Sequence, residues 1–228
     1  MATQQPGDYW LGGSPASIPV YATAEGAVMP IDNPAPVYVV SGFMRSGTSM
    51  MMKALEAGGM DAVYRQSRDV MKNRFADEEY DPNIGGLFEL ERSDYQKPDF
   101  PHGYEGKLIK ALRMGPGRMA VMPGGIRVVF MRRDAEEIRQ SYMAFFGRSD
   151  FTVEQIEDDV KRSLTAAKNR RDTRVLEVYY RGVVEHSEPW FKRIRNFLGV
   201  PLDVSAAASV VSAEWLRYRL EELEVGVV

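Results

Sequence analysis

The sequence predicts an α/β fold of three layers, a mainly parallel central sheet with helices on both faces. Three observations predict it. Short runs dense in Val and Ile, of which Val37-Tyr38-Val39-Val40 is the clearest, read as strands buried on both sides. Amphipathic helical segments alternate with them, as in Asp134 to Phe146, where Ile138, Tyr142, Phe145 and Phe146 recur at i, i+4, i+7 and i+8. No repeat, low-complexity tract or linker divides the chain, so the alternation belongs to one sheet. A length of 228 residues suits one such domain.

In chain order, residues 1–35 carry many Pro, Gly, Ser and Ala with little periodicity, and are expected to form a loosely structured arm before a single domain over residues 36–228. The strand at 37–40 leads into a glycine-bracketed turn, Ser41 to Gly47. A helix follows from Thr48 to Ala57, stopped by Gly58-Gly59. Residues 61–104 are polar and aromatic with turn signals at Asp81-Pro82-Asn83 and Gly85-Gly86, and are expected to supply substrate loops and one short helix. Strands are expected at Lys107 to Leu112, Ile126 to Met131 and Arg174 to Tyr179. Helices are expected at Asp134 to Phe146, Val153 to Lys168, around Trp190 to Leu198, and from Ala206 to Glu222.

Composition narrows the function. With 32 acidic and 29 basic side chains the chain is near neutral, so nothing in its charge supports binding to nucleic acid or a membrane surface. Any anion site must be local. The absence of cysteine excludes disulfides, thiolate metal sites and a cysteine nucleophile, and fits a cytoplasmic location. His102 and His186 are too few for a histidine-rich metal centre. No apolar run approaches the roughly 20 residues of a membrane span.

The strongest local signal is Gly42-Phe43-Met44-Arg45-Ser46-Gly47-Thr48-Ser49, set between a strand and a helix. Glycines permit a tight turn, and the helix N-terminus offers unpaired N–H groups and a positive dipole end, so the segment can cradle a phosphate. The glycine spacing is that of a P-loop, but Thr48 stands where a nucleoside-triphosphatase carries lysine, which argues against ATP hydrolysis. Arg45 brings the positive charge inside the loop instead. The plain alternative is a glycine-rich turn that binds nothing.

Phe43 to Ser49 resembles the phosphosulfate loop of sulfotransferases dependent on 3′-phosphoadenosine 5′-phosphosulfate (PAPS), in the Arg-Ser-Gly-Thr-Ser form of many bacterial members. Further segments match that family in the same order. Ile126 to Tyr142 is similar to its 3′-phosphate motif, a strand ending in an arginine, here Arg133, with a serine eight residues on, here Ser141. A guanidinium fork and a hydroxyl suit a phosphate monoester. Taken singly, Arg133 could instead pair with Asp134 or Glu137, and Ser141 could bond its own helical turn. Lys107 to Leu112 is similar to a family strand that places Lys110 beside the transferring group, but Leu112 stands where cytosolic members carry the proton-accepting histidine. Val178 to Gly199 resembles the strand-and-helix unit in which Tyr180 packs near adenine, although a tyrosine there equally suits a core. The Arg-Lys-Gly loop of many eukaryotic members is missing. Arg217 and Arg219, on the last expected helix, either stand in for it or belong to a solvated helix face.

The resemblance implies a P-loop fold and transfer of a sulfuryl group to a small-molecule or carbohydrate acceptor through a hydroxyl or amine, releasing 3′-phosphoadenosine 5′-phosphate (PAP) without a metal. It implies that Arg45 and Lys110 stabilise charge, that Ser46, Gly47, Thr48 and Ser49 hold the 5′-phosphate, and that Arg133, Ser141 and Tyr180 hold the 3′-phosphoadenosine. The base is expected at Glu89, with Glu91 and His102 behind it. Tyr64, Phe75, Tyr80, Phe88, Tyr95 and Tyr104 either wall the acceptor or pack the loops themselves. A PAP-binding module without catalysis and a small-metabolite kinase are the competing readings.

Overall fold

A computed structural model of the chain describes residues 34–63, 90, 92–113 and 119–211, and the backbone of residues 20–22 and 28–30. The chain forms two compact units, Met1–Pro34 and Ala35–Val228. Within the first, β1 (Val20–Ala22) and β2 (Val28–Pro30) make an antiparallel pair, with Tyr21 opposite Met29. These short strands fall in the stretch expected to be loose.

The second unit is built on four parallel strands: β3 (Val37–Gly42), β4 (Leu108–Lys110), β5 (Ile126–Arg132) and β6 (Thr173–Tyr179), in the spatial order β4-β3-β5-β6. Alternate residues of β3 serve opposite faces. Tyr38 and Val40 face helix α1 (Thr48–Ala57) through Met51, Ala54 and Leu55, in a core completed by α5 (Tyr180–Glu185), α6 (Ser187–Leu198) and α7 (Val204–Ser209). Val37 and Val39 face the other way, toward Leu164 and Ala167 of α4 (Val153–Lys168). Next to that layer, α3 (Ala135–Phe146) packs Ala135 and Ile138 with Phe43 and Ile156 of α4. The fold is therefore α/β in three layers, as the strand and helix alternation predicts. Each fully buried large side chain in these layers contributes about 1.5–3 kcal/mol relative to exposure.

Local chemistry accounts for the helix ends. Asp134 caps α3 by accepting from the N–H groups of Glu136 and Glu137, and Gly147 ends it at φ 72°. Thr152 and Gln155 form a reciprocal capping box on α4. Both α1 and α4 span the residues that periodicity assigns to them.

Three elements differ from expectation. The strand expected over Lys107 to Leu112 shrinks to Leu108–Lys110, because the chain turns out of the extended region by Arg113, at φ 47°. The final helix begins earlier, capped by Asp203, and ends at Ser209. Residues beyond 211 lie outside the described residues. An extra short helix, α5, follows directly on β6. The short helix expected somewhere in 61–104 is α2 (Arg92–Tyr95).

The topology places a crevice. Helix α1, which follows β3 directly, packs on one face of the sheet. The connection after β5 runs over the opposite face, through α3 and α4, toward β6. Where neighbouring strands send their connections apart, a cleft opens at their carboxyl ends, and ligands of α/β sheets bind there. Gly42 and Met131 are paired at that point.

Candidate nucleotide and transfer site

The loop after β3 is shaped by two glycines and one serine. At Gly42, with φ 148°, a Cβ would meet Ser46 Oγ at 2.6 Å and the Met131 carbonyl oxygen at 2.8 Å. At Gly47, with φ 94°, it would meet the Tyr180 ring at 2.4 Å. Neither position admits a side chain. Ser46 is fully buried, and both its N–H and its hydroxyl donate to the Phe43 carbonyl, at 3.2 and 2.7 Å. Its hydroxyl hydrogen is thus spent on the turn itself, a role different from the phosphate contact implied for it. Gly47 has no side chain with which to cap α1, so the first turn, with Thr48 and Ser49, starts without a side-chain partner for its N–H groups.

Arg45 sits at the tip of the loop in the left-handed region, at φ 67°. For a residue with a Cβ this costs on the order of 1–2 kcal/mol. Its carbonyl oxygen accepts a hydrogen bond from Arg133 Nη1 at 3.1 Å, which holds it there. Its own Nε donates to Ser141 Oγ at 3.1 Å, and its guanidinium lies 4.9 Å above the Phe145 ring. The two motifs, 96 residues apart, therefore close onto each other directly. Ser141 engages Arg45 across the crevice.

Arg133 follows β5 and is nearly buried, its side chain 6% exposed. Nε donates to Glu137 at 2.9 Å, one turn along α3, and the guanidinium lies 4.5 Å over the Tyr180 ring. The ion pair with Glu137 that the sequence allowed does form, but in the interior. The third nitrogen, Nη2, is buried and has no hydrogen-bond partner. A buried donor left in that state costs about 1–3 kcal/mol. Tyr180 is 4% exposed, wedged between Arg133 and Gly47, so it is a core tyrosine that lies directly beneath the loop.

Lys110 reaches the loop from β4. Its side chain is buried on the α1 face and Nζ donates to Ser49 Oγ at 3.1 Å. The Tyr95 hydroxyl fixes the strand end by donating to the Lys110 carbonyl at 2.6 Å. Three cationic side chains, Arg45, Lys110 and Arg133, thus gather at one helix N-terminus, with Glu137 as the partner of one of them. A helix N-terminus with cations around it has the chemistry to receive an anion.

Other expected residues fall elsewhere. Glu89, Glu91, Tyr64, Phe75, Tyr80 and Phe88 lie outside the described residues, as do Arg217 and Arg219. His102 pairs with Glu105 at 3.5 Å on the turn that enters the amino end of β4, the end of the sheet opposite the loop. Tyr95 and Tyr104 pack edge-on against Phe100, at 5.3 and 6.0 Å, as loop packing. Two residues the sequence reading did not assign to the site belong beside it. Glu137 orients Arg133, and its i, i+4 spacing was the available signal. Phe145 stacks on Arg45, which the helical pattern alone placed in the core.

Residues 117–204 match the family model described as "Sulfotransferase family". That stretch contains Arg133, Ser141 and Tyr180 but not the loop or Lys110. No curated protein sequence is detectably similar. Similar solved structures include an unliganded sugar kinase from Janibacter sp. HTCC2649 (14% identity, 78% of this chain and 99% of that one, TM-score 0.40). They also include mouse sulfotransferase SULT7A1 complexed with PAP (13% identity, 84% and 72%, TM-score 0.45). A third is sulfotransferase STF1 from Mycobacterium tuberculosis H37Rv (14% identity, 86% and 76%, TM-score 0.46). Over residues 117–204 the chain is thus similar to the sulfotransferase family, and it carries that stretch on an α/β fold with a four-stranded parallel sheet.

Proposed function

We propose that the protein is a PAPS-dependent sulfotransferase, moving a sulfuryl group to a hydroxyl or amine of a small-molecule or carbohydrate acceptor and releasing PAP. The observation that carries this reading is the unpartnered, buried Nη2 of Arg133, beside the Arg45–Ser141 hydrogen bond and the uncapped start of α1. A buried guanidinium nitrogen left over in a cluster of cations fits a second phosphate, separate from the one that the loop would hold. That requirement matches a 3′,5′-bisphosphorylated adenosine better than a triphosphate, whose charge lies in one chain. The absence of a lysine at Thr48 points the same way.

When bound, PAPS supplies the sulfuryl group and a phosphate as leaving group; all else is the work of the chain. The N–H groups of Gly47, Thr48 and Ser49 hold the 5′-phosphate, and Ser46 keeps the turn in shape. Arg133, held by Glu137 and Arg45, presents its remaining donor to the 3′-phosphate, with Ser141 beside it, while Tyr180 packs below. Arg45 and Lys110 neutralise charge where it collects, which is the main catalytic resource in this class of transfer. Arginine does not give up its proton at these pH values, so Arg45 acts as a fixed charge. Glu89 is proposed as the base that takes the acceptor's proton, and no metal is assigned a role. The location is proposed as cytoplasmic. Among the described residues no helix is long and apolar enough to cross a membrane.

A PAP-binding module without catalysis is favoured by one residue, Leu112, which cannot accept a proton. Calorimetric titration with PAP and with ATP–Mg²⁺, followed by a sulfate-transfer assay over a panel of hydroxyl acceptors, tests both readings. Binding of PAP and not ATP–Mg²⁺ with measurable transfer is expected. Binding without transfer, even with Glu89 intact, would leave the module. Absence of PAP binding at millimolar concentration would overturn the assignment.

A further inference from the structure

The phosphate loop is gripped at both ends by one short stretch of chain. At its far end, Lys110 Nζ holds Ser49. At its near end, three residues later in sequence, Arg113 N–H donates to the Gly42 carbonyl at 3.0 Å. Arg113 then turns its guanidinium back over the loop, 5.4 Å from the ring of Phe43 and 5.7 Å from that of Phe151, two rings that meet edge-to-face at 5.3 Å. Its Nε and Nη2 make a two-pronged bond to Asp159 on α4, at 2.6 and 2.8 Å. The Asp159 side chain is mostly buried, 14% exposed.

Arg113 adopts φ 47°, and Arg45 is the other residue besides glycine with positive φ among those described. Side chains with a Cβ persist in that region only when their surroundings over-determine them. For Arg45 the surroundings are Arg133 and Ser141. For Arg113 they are the Gly42 carbonyl, the two rings and Asp159. The hydrogen bond and charge of Asp159 also hold the Arg113 guanidinium above its ordinary pKa despite its partial burial.

We infer that Arg113 and Asp159 form a latch that positions the phosphate loop, fixing the Gly42–Phe43 end of the loop to α4. Arg113 is a positioning residue. Its Nε and Nη2 are engaged by Asp159, and it acts through the carbonyl of Gly42 and the ring of Phe43. The latch deepens the proposed nucleotide reading, because a loop released at one end presents its N–H groups with poorer aim. Its structural half stands without any nucleotide.

The experiment compares wild type with Asp159→Asn, Asp159→Glu and Arg113→Lys. Amide hydrogen exchange of residues 43–47 is measured in nucleotide-free protein, and PAP affinity by calorimetry. Asp159→Asn and Arg113→Lys are expected to raise exchange at the loop selectively and to weaken PAP about tenfold, the scale of coupling between side chains that act through one another. Asp159→Glu, which keeps the carboxylate, is expected to recover most of both. A pair that only stabilised the fold would lower Tm and raise exchange throughout α4 while leaving loop exchange relative to α4, and PAP affinity, unchanged; that result overturns the latch. Loosened loop amides in the variants, in a wild type that binds no PAP, would support the latch while removing the nucleotide assignment.

Discussion

Two arginines hold the two ends of the sheet, and they are satisfied to different degrees. Arg170, before β6 at the amino end, uses every nitrogen. Nε bonds Asp172 and Thr173, Nη1 the Met119 carbonyl at 2.8 Å, and Nη2 both Asp172 and the Ala120 carbonyl. Asp172 in turn accepts from Met122 N–H at 3.0 Å. Arg133, after β5 at the carboxyl end, leaves Nη2 unbonded in the interior. Among the described residues, the other buried side-chain atom without a partner is Ser41 Oγ, also at the carboxyl end of a strand. Two positive-φ arginines lie at that same end. The amino end therefore stabilises the fold, and the carboxyl end retains donors and strain that a ligand can use.

The largest effect is expected at the loop. Arg45→Ala should lower sulfate transfer by about 10²–10³, the usual cost of removing one charge-stabilising donor, with the thermal midpoint nearly unchanged. A large fall in Tm with turnover preserved would reverse the roles given to the two ends. Next in size, Arg133→Lys keeps the charge but loses the planar fork. PAP affinity by calorimetry should drop about 10- to 100-fold, since lysine replaces a bidentate arginine poorly. The matching substitution, Arg170→Lys, should leave PAP affinity alone and cost roughly 2–3 kcal/mol in urea unfolding, because buried carbonyls and Asp172 lose donors.

Acid sharpens the contrast further. Burial alone would raise the carboxyl of Asp172, but the hydrogen bonds from Arg170 and Met122 N–H and the charge of Arg170 outweigh it and hold its pKa below the ordinary value. A lowered folded-state pKa contributes stability above the unfolded value of about 3.9 and loses it as pH falls through the lowered one. Wild type should thus lose stability more steeply below about pH 4 than Asp172→Asn, which starts less stable at neutral pH. Parallel acid-unfolding curves would count against the stabilising role of the Arg170–Asp172 pair. The smallest effect is expected at Ser41→Ala. Removing a buried hydroxyl without a partner should be neutral or stabilise by up to about 1 kcal/mol, and a clear destabilisation would show that Ser41 has a partner when folded in solution.

Much of this was legible in the sequence where signals are local. The bounds of α1 and α4 follow from apolar spacing together with Gly47, Gly58 and the Thr152–Gln155 pair, all within a turn or so of the ends they set. The loop glycines were legible because no other residue fits the turn. Contacts made by distant segments were not. Nothing near Ser141 foretells its bond to Arg45, and nothing near Glu137 foretells that its pair with Arg133 lies in the interior. Helix α5 has six residues, too short to show a period. Strand β4 lies at a sheet edge and leaves the extended region as Arg113 enters the left-handed one, so its apolar run overstates its length.

The site takes one cation each from the loop after β3, from β4 and from the residue after β5, and rests on a tyrosine from α5. No contiguous fragment carries it. Nucleotide affinity should therefore appear only once the whole sheet has assembled, late and all at once, because distant pairings form slowly. In a refolding experiment the return of PAP binding would lag the recovery of helical signal, which makes the ligand a built-in reporter of complete assembly.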